Sequence, residues 1–239
     1  MYDQLKFLVS GDAHLVVEVG DTISREVHYK VQALYSAITA AAIPGIEELI
    51  PTYRSIAVNY NSFVTRQDEL QLKINDLMMA PQGDVKSRIF DIPVLYGGDY
   101  GPDLEFVANH NNLTVREVIS IHTQQEYPIY MFGFAPGFAY LGGVSERIMT
   151  PRLETPRIVI PAGSVGIAGS QTGIYPQDSP GGWQVIGRTP LKFFNPYHDP
   201  PVFLNTGDHI HFHAIEEEEY VGIEELLRVG SYEVNYNHV

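Results

Sequence analysis

Seven glycines fall within thirty residues of this chain, at positions 163, 166, 169, 173, 181, 182 and 187 of PAGSVGIAGSQTGIYPQDSPGGWQVIGRTP (residues 161–190). A glycine inside a helix costs about 1 kcal/mol against alanine, so this spacing leaves room only for short strand-like runs closed by turns. The same punctuation by Gly and Pro runs through the second part of the chain. Strands are expected at 127–134, Arg157–Ile160, Ser164–Ala168, 171–175, 183–186, 202–204 and 209–213. Many short strands with frequent turn signals indicate a β-barrel or sandwich. One clear helix interrupts them, Val115–Thr123, with Thr114 as N-cap and Glu117 three residues on. A short helix around 223–228 follows four glutamates, Glu216 to Glu219, which read as solvated surface.

Before about residue 86 the pattern differs. Residues 5–9 and 14–19 read as strands around a Ser10-Gly11-Asp12 turn. Asp21 offers an N-cap, Ile23, Val27, Val31, Leu34, Ile38 and Ala41 recur at helical spacing, and Pro44-Gly45 ends that helix. Residues 53–60 form a further strand. Thr65 with Asp68 resembles a capping box, and Leu70, Ile74, Leu77 and Met78 mark a second helix. Pro81-Gln82-Gly83-Asp84 reads as a linker. The expectation is a small α+β domain over residues 1–86, helices on one face of its sheet, and an all-β domain over 87–239.

Composition removes several function classes. Of 239 residues, 44% are hydrophobic and 18% charged, enough apolar surface for a buried core. Fifteen Lys and Arg stand against 29 Asp and Glu, a net charge of -14 that argues against nucleic acid and anionic membranes as partners. The absence of cysteine excludes disulfides, thiolate metal sites and thiol nucleophiles. The first residues lack the basic-then-apolar pattern of a signal peptide, and no run approaches ~18 apolar residues, so a soluble cytoplasmic protein is expected. Neither GxxxxGK[ST] nor GxGxxG occurs. A G-x-S-x-G elbow is nearly present around Ser164, but Ala162 stands at its first glycine and the flanks read strand–turn–strand.

The glycine-rich segment admits two readings: barrel corners that need glycine, or backbone that approaches a ligand closely. Local charge favours the second. Residues 145–190 hold Arg147, Arg152, Arg157 and Arg188 against Glu146, Glu154 and Asp178, one net positive charge in an acidic chain. A small carboxylate or phosphate would find its most favourable field there, with Arg157 and Arg188 as anchors and Gln171, Thr172, Tyr175 and Ser179 as polar contacts. The competing reading ties both arginines to acids such as Glu154 and Asp178. His122, on the apolar face of its helix, is either a hydrogen-bonded core residue or a proton-transfer group. His209, His211 and His213 alternate along one strand, which spreads their rings over ~13 Å, too far for one metal ion without a bend. No metal site is expected. Phe132, Phe134, Phe138, Tyr140 and Trp183 read as core or pocket lining.

Longer words in the sequence carry a resemblance. They are MFGFAPGFAYL (131–141), Pro156-Arg157, PAGSVGIAG (161–169), QTGIYP (171–176), SPGGW (179–183) and IGRTP (186–190), with PTYRS (51–55) and GPDL (101–104) before them. Together these resemble the B subunit of bacterial 5-oxoprolinase, the family also called KipI-like or allophanate hydrolase subunit 1, over roughly residues 5–215. Asn195-Pro196 and the histidines of 209–213 depart from the family's usual Asp-Pro and Arg.

The resemblance implies an α+β N-terminal domain and a cyclophilin-like β-barrel C-terminal domain. It implies partners, the 5-oxoprolinase C and A subunits, and a shared reaction: opening 5-oxo-L-proline to L-glutamate with ATP. ATP, with magnesium, would be bound by the complex rather than by this chain alone, and the chain would be inactive by itself. A second class stays open, a KipI-like inhibitor of a sensor histidine kinase, which would bind through an exposed apolar surface. Urea carboxylase offers a third, weakened by the lack of a fused biotin-dependent carboxylase.

Overall fold

The computed structural model describes residues 2, 4–79 and 87–238, so the expected linker at 81–84 lies outside the described residues. The chain divides into two compact units, Met1–Lys86 and Ser87–Val239.

In the first unit, strands β1 (Lys6–Val9), β2 (His14–Glu18), β3 (Ile46–Pro51) and β4 (Ser55–Tyr60) form an antiparallel sheet in the order β1-β2-β4-β3. Helices α1 (Arg25–Ala41) and α2 (Gln67–Met79) cover one face. Alternation along β2 and β4 puts Leu15, Val17, Ile56, Val58 and Tyr60 on that face, against Val31, Leu34 and Ile38 of α1 and Leu70 and Ile74 of α2. Two helix starts differ from expectation. Ser24, not Asp21, caps α1, its side chain accepting from the Val27 amide at 3.2 Å. The Thr65 hydroxyl donates to the Pro44 carbonyl instead of capping α2. Strand β3, which the pattern does not predict, fills the span between Gly45 and Tyr53.

The second unit is a closed barrel. Its strands are β5 (Arg88–Tyr96), β6 (Glu126–Phe132), β7 (Ala139–Gly142), β9 (Ser164–Ala168), β10 (Gln171–Ile174), β12 (Gln184–Arg188) and β13 (His209–Ala214). Hydrogen bonding runs β12-β9-β10-β7-β6-β13-β5 and returns from β5 to β12. Closure removes the free sheet edges that would otherwise template aggregation. Strand β5 makes closure possible. One edge pairs with β13 in parallel; the other is divided between β14 (Tyr236–His238), at Arg88–Phe90, and β12, at Leu95 and Tyr96. The Asp91 amide donates toward the β14 side, to Asn235. Period two therefore turns the nitrogen of Pro93 into the gap between those partners, where no donor is required. The short strands β8 (Arg157–Ile160) and β11 (Ser179–Gly181) pair with each other as a separate ribbon.

Helices α3 (Leu104–His110), α4 (Val115–Thr123) and α5 (Glu217–Arg228) pack beside the strands, with a 3₁₀ turn at Glu146–Ile148. The Thr114–Glu117 capping box forms in both directions. Helix α5 starts at Glu217, earlier than expected, so three glutamates occupy its first turn, where the helix dipole favours them. Residues 202–204 are not a strand. They follow Pro200-Pro201, and the Phe203 carbonyl accepts from the Arg88 guanidinium at 3.1 Å rather than from a ladder. No helix among the described residues is long and apolar enough to cross a membrane.

Candidate functional site

Two facing glycines make a floor on the outside of the barrel. Gly166 of β9 pairs directly with Gly173 of β10, and Gly173 with Tyr140 of β7. A Cβ at Gly166 would stand 3.1 Å from the Trp183 Cβ, and one at Gly173 would stand 3.1 Å from Trp183 Cζ3. The indole lies on bare backbone. Phe138, Tyr140 and Tyr175 surround it edge-on, with centroids 5.5, 6.0 and 6.4 Å away. At Gly181 a Cβ would come within 2.4 Å of the Tyr175 hydroxyl. With Ile160, Ala168 and Val185 these rings form a second core, separate from the barrel interior. Three glycines of the signature are thus there because aromatic side chains occupy the space. Gly173→Ala is expected to cost about 2 kcal/mol through overpacking, whereas Gly182→Ala, with no atom nearer than 3.6 Å, is expected to be close to neutral. Urea unfolding of both variants checks this.

The rim of this cluster is exposed. Phe134 is 62% accessible and has φ +67°, a left-handed conformation costing a phenylalanine roughly 1–2 kcal/mol. Its turn is held by Ala135 N–H donating to the Gly133 carbonyl and Phe138 N–H donating to the Ala135 carbonyl, at 2.8 and 3.0 Å. The Arg152 guanidinium lies 5.8 Å over the Trp183 ring.

The residues singled out from the sequence separate into different environments. Arg157 makes a bidentate pair with Asp103, at 2.8 and 2.7 Å, and Asp103 also accepts from the Val185 amide at 2.7 Å. That guanidinium is engaged, though by neither of the acids expected for it: Asp178 instead accepts from the Ala162 amide at 2.8 Å. Arg188, half-buried on β12, pairs with no carboxylate among the described residues and lies 5.4 Å over the Tyr100 ring. Tyr175 is buried in the aromatic cluster, and burial pushes its phenol up to about 12 despite a hydrogen bond with the Trp183 backbone. The Ser179 hydroxyl donates to the Gln177 carbonyl at 3.0 Å, and Gln171 is half-buried at the start of β10.

Thr172 and His122 meet inside the barrel. His122 is wholly buried. Its Nδ1 is 2.7 Å from the Tyr96 hydroxyl and its Nε2 is 3.0 Å from Thr172 Oγ1, while Phe212 stacks on the ring at 4.7 Å. The Thr172 hydroxyl donates to the Gly166 carbonyl at 2.9 Å. Its oxygen therefore accepts from Nε2–H, and Nδ1 accepts from the Tyr96 hydroxyl. Burial lowers the imidazole to about 3, so the ring is neutral. Of the two readings of His122, this geometry fits the hydrogen-bonded core residue.

On β13, His211 Nδ1 and His213 Nδ1 both approach Asp91 Oδ1, at 2.9 and 3.0 Å. No group of three or more His, Asp or Glu among the described residues is arranged to hold a metal ion. Sequence reasoning misses Asp103, Tyr96 and Tyr100 as partners of the chosen residues. Asp103 lies inside the GPDL word, the one signal that could have found it.

The profile of the carboxyltransferase domain, subdomain C and D, matches residues 5–204. The chain is 44% identical over 222 residues to the 5-oxoprolinase B subunit of Bacillus subtilis (strain 168), covering 88% of this chain and 92% of that one. It is 42% identical over 165 residues to the 5-oxoprolinase B subunit of Haemophilus influenzae, covering 68% and 74%. The crystal structure of the Kluyveromyces lactis urea carboxylase superposes with a TM-score of 0.79 at 21% identity, a likeness of fold. It takes in 98% of this chain but only 24% of that much longer one.

Proposed function

The chain belongs to the family of the carboxyltransferase domain, subdomain C and D, and from that membership we propose that it is the B subunit of an ATP-dependent 5-oxoprolinase. The observation that carries this reading is 44% identity extending over 92% of a 5-oxoprolinase B subunit. In this reading the chain works with the A and C subunits to open 5-oxo-L-proline to L-glutamate and is inactive alone. We also read the barrel as the cyclophilin-like type and the protein as cytoplasmic.

The chemistry asks for cooperation between subunits. A lactam amide is inert at neutral pH, and phosphorylation of its oxygen creates a leaving group and admits water. A triphosphate needs several converging cations. Here Arg157 is bound to Asp103, Arg88 to Asp208 and Arg54 to Glu18, while Arg152 and Arg188 lie over aromatic rings. The engagement of these arginines supports assigning ATP and its magnesium to the assembled complex rather than to this chain alone. What the chain does offer is a surface for an organic anion: the aromatic shelf around Trp183 and the arginines bordering β9, β10 and β12.

The test is co-expression with the A and C subunits, co-purification, and assay of glutamate released from 5-oxoproline. Turnover is expected only from the assembled complex with ATP. Full turnover by the isolated chain would overturn its dependence on partners. A purified three-subunit complex that forms no glutamate would overturn the function.

A further inference from the structure

We propose that Ser164 and Arg188 form a clasp for one carboxylate group on the outer face of the barrel, with the Tyr100 ring as its wall. Only the choice of 5-oxoproline as the natural ligand rests on the 5-oxoprolinase reading.

The register brings the pair together. Ser164 at the start of β9 lies directly opposite Arg188 at the end of β12. Opposed residues of an antiparallel pair project from the same face with Cβ atoms roughly 4.5–5.5 Å apart. Val165, next in sequence, belongs to the barrel interior, so alternation turns Ser164 outward.

Both members lack a partner that their burial demands. Ser164 is fully buried, and its Oγ has no hydrogen-bond partner. Arg188 Nε is likewise buried without an acceptor. Buried polar groups are nearly always paired, and two orphans facing one another across a ladder mark the place of an absent acceptor. Arg188 also differs from Arg157 and Arg88, each of which has a carboxylate of its own. Its guanidinium rests on Tyr100, whose ring is in turn backed by Tyr220 at 4.9 Å. Its stem passes over Gly163, where a Cβ would be 3.3 Å from Arg188 Cγ. The guanidinium and the hydroxyl are thus the two jaws of the clasp.

The donor set selects the ligand class. One guanidinium and one hydroxyl match the two oxygens of a carboxylate. A phosphoryl group, with three oxygens and up to two charges, would leave acceptors unmet.

Calorimetric titration of the full chain, alone and in the complex with the A and C subunits, tests this with three probes. These are 5-oxo-L-proline, 2-pyrrolidinone (the same ring without the carboxylate) and inorganic phosphate. We expect 5-oxoproline to bind most tightly. Ser164→Ala and Arg188→Gln should each weaken it by roughly ten- to a hundredfold and leave 2-pyrrolidinone unchanged. In the unmodified protein the Arg188 Nε–H resonance should shift with 5-oxoproline and stay still with 2-pyrrolidinone. That measurement serves if a variant does not fold. Unaltered affinity in both variants, a static Nε–H resonance, or equal affinity for 2-pyrrolidinone or phosphate overturns the clasp. Glutamate-forming activity that survives both substitutions with its KM unchanged overturns the clasp and leaves the enzyme reading intact. Carboxylate binding that depends on both residues, in a complex that forms no glutamate, does the reverse.

Discussion

Between pH 6.5 and 4 the barrel unit is expected to lose stability by about 1.4 kcal/mol per pH unit through His122 alone. An unfolded histidine takes up a proton near pH 6.5, whereas burial holds the folded one at about 3. Over that window the unfolded chain binds a proton that the folded chain refuses. The contribution is therefore fully present above about 6.5 and falls as the pH drops, by on the order of 4 kcal/mol once pH 3 is reached. The folded protein refuses the proton because the ring is wholly buried, stacked on Phe212 and flanked by Tyr127, where an imidazolium would lose its hydration. Carboxylates contribute their own acid sensitivity, so the comparison must be internal. Urea unfolding at pH 7, 5.5 and 4 should show a steep loss in the parent and a shallower one in His122→Gln, which keeps one hydrogen-bonding arm. Parallel pH slopes for the two proteins would mean that His122 is not held neutral.

The division of the sequence into a helix-bearing part and a Gly- and Pro-punctuated part is legible because the periods differ, 3.6 against 2, and because turns announce themselves chemically. What the sequence does not supply is the other half of each contact. Strand β5, the longest, escapes notice because Pro93 interrupts its pattern, and only the divided edge of the closed barrel explains why proline is tolerated there. The glycines at 166, 173 and 181 suggest ligand approach until Trp183 and Tyr175 are seen to fill the space above them. His122 reads as strut or acid–base group until Tyr96 and Thr172, 26 and 50 residues away, close on its two nitrogens. Ser164 draws notice only for a motif it fails to complete, because an unpaired hydroxyl is a property of three-dimensional surroundings.

Arg157→Ala is expected to destabilise the second unit by about 3 kcal/mol, the low end for removing one partner of a buried ion pair, because part of the arginine reaches solvent. Asp103 is 7% exposed and joins three elements: its carboxylate accepts from both guanidinium nitrogens and from the Val185 amide at 2.7 Å, and its own N–H donates to the Val185 carbonyl at 2.9 Å. Deleting the arginine leaves that carboxylate buried with a single strong donor. The melting temperature should fall by roughly 6–12 °C. Arg157→Lys should lose less, since an ammonium keeps the charge but cannot span both oxygens. Asp103→Asn combined with Arg157→Ala should cost less than the sum of the two single changes, the signature of a coupled pair. The same variants separate the ion pair from the substrate-gripping role that local charge suggests for Arg157. A structural pair lowers melting temperature and leaves the KM for 5-oxoproline unchanged at temperatures where the protein is folded. A raised KM with unchanged melting would return Arg157 to the substrate and would mean that its alignment with Asp103 contributes nothing to the fold. The geometry favours the first outcome. A guanidinium already bidentate to one carboxylate must surrender both bonds to take another, and Arg188 offers the same chemistry with no carboxylate to surrender.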